Sequence, residues 1–346
     1  MSRADDDNDG AAIHPRETAV LFGHAEAEQA LLEAYRSGRV PHAWLIGGES
    51  GIGKATLAYR MARFVLAHPD PALPAVRRAT SLAVVPDHPV ARRIAGQAHP
   101  DLLVLRRVVN EKTGKLYTVI RVDDVRRCVP FFGSTAGEGG WRVAIVDTVD
   151  EMNKESENAL LKVLEEPPPR ALLLLVSHAP GRVIPTIRSR CRTLLLRPLA
   201  ADDVVRAAAA ALGEAGETAE IRAAAEAADG SVGRALMFLE GEALDLRRRV
   251  IEALDRLPEL DPRALHALGD GLAGTETETL AAFMDTVNAW LAARLRSGPQ
   301  DSGRLARVGE VFENVNRAAR ESESYNLDRK PLVFSVFNQL AAAARA

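Results

Sequence analysis

The run Gly48-Glu49-Ser50-Gly51-Ile52-Gly53-Lys54 has the residue types that hold phosphate. Glycines let successive backbone N–H groups turn inward around anionic oxygens. A helix opening at Lys54 adds the positive end of its dipole, and the lysine adds a full charge. An aliphatic stretch precedes the run and a helical pattern follows it, the setting that a phosphate-binding loop requires. A plain glycine-rich turn followed by a lysine is the weaker alternative. The next position departs from the pattern. A Ser or Thr there would ligate Mg²⁺, but the chain has Ala55, and Thr56 is rotated by about 100° around the helix.

A second chemical position lies downstream. Arg142-Val143-Ala144-Ile145-Val146-Asp147 is an apolar strand ending in an acid, and Asp147 can hold a metal through water. Hydrolysis also needs a carboxylate that positions the attacking water, and the following residue is Thr148. Asp150 and Glu151 fall past the strand end and are weak substitutes. The loss of a metal ligand and of a water-positioning acid points the same way. The chain is expected to keep a nucleotide-site fold without hydrolysing ATP, and any ATP binding is expected to be weak or vestigial.

These residues need elements to position them. Near-continuous apolar runs predict strands at Ala43–Gly47, Leu102–Leu105, Tyr117–Val122, Arg142–Asp147, Leu172–Ser177 and Thr193–Leu196, as in a parallel sheet buried on both faces. Helical patterns at Ala25–Ser37, Lys54–Ala67 and Lys154–Glu166 alternate with them, which implies a layered α/β domain. Leu160, Leu161 and Leu164 recur at helical spacing and should pack their helix onto the sheet, with the prolines at 167–169 ending it. The stretch from 69 to 100 carries no clean period and reads as an insertion or long connection. Arg197-Pro198-Leu199 reads as a hinge. Residues 201–240 are alanine-rich and helical, with Asp202 placed as a helix cap. Residues 243–346 are helical throughout, with breaks near 269–274 and 297–303. The expected organisation is a tail at 1–12, an α/β domain at 13–197, a small helical lid at 198–242 and an all-helical domain at 243–346.

Composition sets outer limits. At 346 residues and 47% hydrophobic, the chain is long enough for two or three cored domains. A net charge of −3 argues against a protein that wraps nucleic acid, so DNA contact should be local. Cys128 and Cys191 are the two cysteines, which excludes a disulfide scaffold and a four-thiolate zinc site. Cys191 reads as a small apolar group. The acidic N-terminal dozen lacks the apolar core of a signal peptide, and no run is long enough to span a bilayer. A soluble cytoplasmic protein with no membrane contact is expected.

Three motifs in order carry a resemblance: His42-Ala43-Trp44-Leu45 ahead of Gly51-Ile52-Gly53-Lys54, then Asn158-Ala159-Leu160-Leu161-Lys162-Val163-Leu164-Glu165-Glu166-Pro167-Pro168, then Pro185-Thr186-Ile187-Arg188-Ser189-Arg190-Cys191. Over roughly residues 20–197 the chain resembles the clamp-loader group of AAA+ proteins. Its damaged ATP site is similar to the delta-prime branch of the bacterial DNA polymerase III clamp loader rather than to the ATP-hydrolysing gamma/tau branch. The resemblance implies a non-hydrolysing subunit of a hetero-oligomer that contains gamma/tau and delta subunits. Through that complex it would help load the sliding clamp on primed DNA. It also implies that Arg190 is an arginine finger reaching ATP on a neighbouring chain, while Arg188 and Arg192 solvate a strand end. Gly48, Gly51, Gly53, Lys54, Asp147 and Arg234 would form the degenerate nucleotide site, with Arg234 at the sensor-2 position of the lid. Ser177 lies about where a sensor residue would face phosphates. The group often carries a four-cysteine zinc module. The 67–100 segment has no cysteine, so no zinc is expected and no cofactor is required. The helices from 243 onward would form an oligomerising collar, with Phe283, Val287, Trp290 and Leu291 on one packed face. An ATP-hydrolysing gamma/tau-type subunit or related AAA+ ATPase, and a pure scaffold with an idle Arg190, stay open beside this reading.

Overall fold

Strands β1 (Ala43–Gly47), β2 (Leu102–Leu105), β3 (Arg142–Val146), β4 (Ala171–Ser177) and β5 (Arg192–Leu195) pair in parallel in the order β2-β3-β4-β1-β5. The structure is a computed structural model, and it describes residues 13–110, 114, 116–133, 137, 140–214, 216–239, 243–272, 277–297, 302–325 and 327–345. The expected tail at 1–12 lies outside the described residues. Each strand begins and ends within a residue of where the apolar runs place it. For β1 and β4 the reason is burial: every residue is buried, so aliphatic side chains are required on both faces, whereas β5, at the sheet edge, is largely exposed and not buried as its apolar run suggests.

Alternation along the strands sorts side chains into two cores. Trp44, Ile46, Val143, Ile145, Leu172 and Leu174 face α1 (Ala25–Arg36), α2 (Lys54–Ala67), α3 (Pro74–Arg78) and α4 (Pro89–Ala95). Ala43, Leu45, Ala144, Val146, Leu173 and Leu175 face α5 (Val122–Arg126), α6 (Cys128–Gly133), α7 (Lys154–Glu165) and α8 (Pro185–Arg188). Leu160 and Leu164 of α7 are buried in this second core, and Leu161 is half-buried against it. Cys128 is buried there too, and burial pushes its thiol up to about 12.

Two readings need correction. Tyr117–Val122 is not a strand. Ile120 makes one isolated bridge to Met152, Ser156 Oγ donates to Ile120 O at 2.7 Å, and the chain turns into α5 at Val122. The sheet ends at β2 on that side, and this apolar run buries Ile120 under α7 without adding to it. Asp202 is not the cap of α9 (Ala201–Leu212). Ala200 holds that place with extended backbone, and Asp202 sits in the first turn, where an acid suits the helix dipole. The 69–100 stretch contains α3 and α4. Both open on proline, whose fixed φ suits a first turn, and both are too short to show a period.

The chain divides into two compact units, Met1–Ala235 and Leu236–Ala346. In the first, α9 packs on α10 (Ala219–Ala227), and α11 (Val232–Leu239) begins before the boundary. The second holds α12 (Ala243–Asp255), α13 (Pro262–Gly271), α14 (Thr277–Ser297), α15 (Ser302–Tyr325) and α16 (Arg329–Arg345). Phe283, Val287 and Leu291 of α14 are buried, while Trp290 is half-buried with the Arg294 guanidinium 4.3 Å from its ring centroid. Asn288 and Asn316 exchange two amide hydrogen bonds, 3.0 and 2.9 Å, between α14 and α15. Such a pair is satisfied in only one register of the two helices. No helix among the described residues is long and apolar enough to cross a membrane.

Candidate functional site

The register Gly47↔Ser177 brings the ends of β1 and β4 level, and β3 ends beside them at Val146. Ligands of open α/β sheets bind at this carboxyl edge. From β1 the chain enters the glycine loop. A Cβ on Gly48, whose φ is +147°, would lie 2.7 Å from Leu196 O. At Gly51, φ is +73° and the backbone comes so near the lid that a Cβ would be 3.0 Å from Gly233 Cα and would strike Ser231 Oγ. Only glycine suits that position. Gly53 is the N-cap of α2, with Lys54 the first helical residue.

The loop is held from two sides. His24 Nε2 is 2.7 Å from Ile52 O. On the lid side, Ser231 Oγ donates to Ser50 O at 2.9 Å and Gly233 N donates to Gly51 O at 3.0 Å. Lys54 is 3% exposed and its Nζ donates to Glu49 O, within the loop itself. Burial pulls its ammonium from 10.5 down to about 8, opposed by the charges of Asp147, Asp150 and Glu49. Asp147 is pushed above the ordinary carboxylate range by burial, opposed by Lys54 and Arg106. Lys54 and Asp147 thus share one electrostatic cluster, as their sequence motifs imply.

Asp150 belongs to that cluster, where spacing alone made it a weak substitute. Its carboxylate accepts from Ser177 Oγ at 2.8 Å and from the His178 N–H. Ser177, completely buried, is therefore spent on Asp150. Glu151 turns instead to Arg107, with Nε to Oε2 at 2.9 Å. Thr148 stands where a water-positioning acid would be. It is buried, and its hydroxyl has no hydrogen-bond partner among the described residues. The half-buried Ala55 offers no oxygen. These residues do not fit a metal-bound nucleotide undergoing hydrolysis: the hydroxyl ligand and the catalytic acid are missing, and the loop lysine bonds its own loop.

Arg234, on α11, donates to Ala228 O at 2.9 Å and pairs with Asp229 at 3.5 Å. Arg190 follows α8 on the turn into β5. Its Nη1 donates to Thr186 O at 2.8 Å, and its Nη2 lies 2.9 Å from Glu165 Oε1. The side chain keeps 35% of its surface exposed. Arg192 lies over the Trp44 ring at 4.9 Å, and Arg188 is exposed. Cys191 is half-buried, and burial pushes its thiol up to about 12. Among the described residues no group of His, Cys, Asp and Glu could hold a metal ion. Sequence reasoning missed His24, Ser231 and Glu165. Glu165 lies inside a motif read for other residues, Ser231 lies three residues before Arg234, and His24 carries no motif at all.

One family signature and several relatives match the chain. The signature described as DNA polymerase III, delta subunit matches residues 23–200, just over half the chain. A DNA polymerase III subunit delta' from Pseudomonas aeruginosa is 39% identical over 150 residues, 43% of this chain and 41% of that protein. The Escherichia coli subunit delta' is 28% identical over 224 residues, 65% of this chain and 62% of that one. The chain thus matches less than two thirds of the length of each. The E. coli subunit tau is 28% identical over 233 residues, 65% of this chain and 33% of its own length. Among solved structures, a gamma subunit-related protein from Thermotoga maritima covers 93% of this chain and 99% of its own at 16% identity, with a TM-score of 0.43, too loose a likeness to inform the site. The matched stretch contains the glycine loop, the acid-tipped β3 and the Ser-Arg-Cys turn, and the chain belongs to the DNA polymerase III delta-subunit family.

Proposed function

We propose that the chain is a delta-prime-type subunit of a bacterial clamp loader, hydrolyses no ATP itself, and lends Arg190 to ATP held by a neighbouring gamma/tau subunit. The observation that carries this reading is a contrast within one domain. Lys54 is buried and bonded to its own loop, whereas Arg190 stands partly exposed on a short turn. A guanidinium at a subunit boundary compensates charge that develops during phosphoryl transfer, and its planar fork meets phosphate oxygens bidentately. Gly48, Gly51, Gly53, Lys54, Asp147 and Arg234 then form a vestigial nucleotide site that binds ATP weakly or not at all, and no zinc is required. The partners are gamma/tau and delta subunits, with the sliding clamp and primed DNA engaged through the complex.

The test is Arg190→Ala in this chain alone, within the reconstituted complex. The side chain fills no core volume, so folding and assembly should survive. Hydrolysis at the neighbouring site should fall by about 100-fold or more, slowing clamp loading. Arg190→Lys should rescue poorly. Unchanged loading and unchanged hydrolysis would leave Arg190 a solvated charge and the chain a scaffold.

A further inference from the structure

We infer that Glu165 is the positioning residue for Arg190, holding the guanidinium in place before a neighbouring subunit's ATP arrives. The inference rests on the reading of Arg190 as an arginine finger.

Glu165 is the last residue of α7, and Arg190 follows α8, which packs against α7. The end of α7 and the turn after α8 therefore present a carboxylate and a guanidinium to each other from separate elements. Arg190 Nη2 lies 2.9 Å from Glu165 Oε1 and Nη1 donates to Thr186 O at 2.8 Å, with Ser189 Oγ at 3.4 Å from the same nitrogen. Anchors on both terminal nitrogens fix the plane of the fork. An arginine on an exposed turn otherwise spreads over many rotamers, and ordering it at each encounter costs free energy. The guanidinium carries five N–H donors, so these anchors leave donors over for phosphate oxygens.

Glu165 also stands where a helix disfavours it. The carbonyl end of α7 carries partial negative charge, and an acid in the last turn is repelled by it. Arg190 offsets both the carboxylate and the helix end. With the two side chains 35% and 50% exposed, the pair is too wet to contribute much to folding. Orientation of Arg190 accounts for the acid better than stability does.

The experiment measures clamp loading against ATP concentration by the complete reconstituted complex, with substitutions confined to this chain. Glu165→Ala should lower kcat by about two- to fivefold, the range of an exposed ion pair, at unchanged KM. Glu165→Gln should recover part of the loss, because its carbonyl oxygen still accepts from Nη2. Glu166→Ala, which removes the same charge from the same helix end, should change nothing. In an Arg190→Ala background, Glu165→Ala should have no further effect. Circular dichroism checks that each variant folds. If Arg190→Ala itself leaves loading unchanged, the arginine-finger reading falls and this inference with it. If Arg190→Ala slows loading but Glu165→Ala does not, the inference alone is overturned. A faster Glu165→Ala complex would make Glu165 a competitor for the guanidinium and overturn it too. So would an equal loss from Glu165→Ala with and without Arg190.

Discussion

Replacing the loop lysine, Lys54→Met, should make the isolated chain more stable at neutral pH. Lys54 is 3% exposed, and burial has pulled its ammonium from 10.5 to about 8 despite three opposing carboxylates. That fall corresponds to roughly 3 kcal/mol against the charged form in the folded chain. At pH 7 both folded and unfolded chains hold the proton, so the whole penalty is present. Methionine has similar length and no charge, and removes the penalty. Glu49 O loses its donor, which costs about 1 kcal/mol. The net gain is about 2 kcal/mol, or roughly 4–8 °C in the melting temperature of a unit of this size. The sign of the pH dependence follows from linkage. Between about pH 8 and 10.5 the folded chain has released a proton that the unfolded chain still binds, so wild-type stability rises with pH across that window. The advantage of Lys54→Met should therefore be full at pH 7, shrink above pH 8, vanish near about pH 10 and turn into a small disadvantage by about pH 10.5, where only the lost hydrogen bond to Glu49 O remains. Calorimetric melts of both proteins at each pH test this. A variant less stable than wild type at pH 7, or a difference that stays constant from pH 7 to 10, would refute the reasoning.

Two further outcomes follow from the same loop. Gly51→Ala should destabilise the first unit by about 2–4 kcal/mol, combining a left-handed alanine with displacement of Ser231 and Gly233, whereas Ser231→Ala should cost only about 1 kcal/mol. A Gly51→Ala melt indistinguishable from wild type would show that the lid does not bear on the loop. The isolated chain should turn over no ATP above background, because Ala55 and Thr148 replace the metal ligand and the water-positioning acid. Sustained turnover of about one per second, abolished by Lys54→Ala, would contradict this.

Much of the α/β layer was legible from residue order, because strands buried on both faces demand aliphatic runs and leave a clear trace. The glycine loop, Ala55 and Thr148 were legible for a related reason: phosphate binding and metal ligation need particular atoms at particular positions along the chain. Tyr117–Val122 shows the limit of that logic. Its apolar run suits a strand, but a strand exists only where it pairs, and here Ile120 goes under α7 instead of onto the open edge of β2. Local composition likewise suggested a cap at Asp202, while the turn into α9 is made by the backbone of Ala200. What the sequence by itself determined, then, was the chemistry present and absent: a lysine without its hydroxyl neighbour, an acid-tipped strand without a second acid, an arginine in a Ser-Arg-Cys turn. Only the tertiary structure decided how those groups are spent. Lys54 bonds its own loop, Ser177 is bound to Asp150, Gly51 lies against Gly233, and Arg190 is held by Glu165. The Lys54 contact closes within its own loop, but each of the other partners lies on a different element, brought within hydrogen-bond or van der Waals reach by sheet register and helix packing, and no local pattern in the chain encodes that distance.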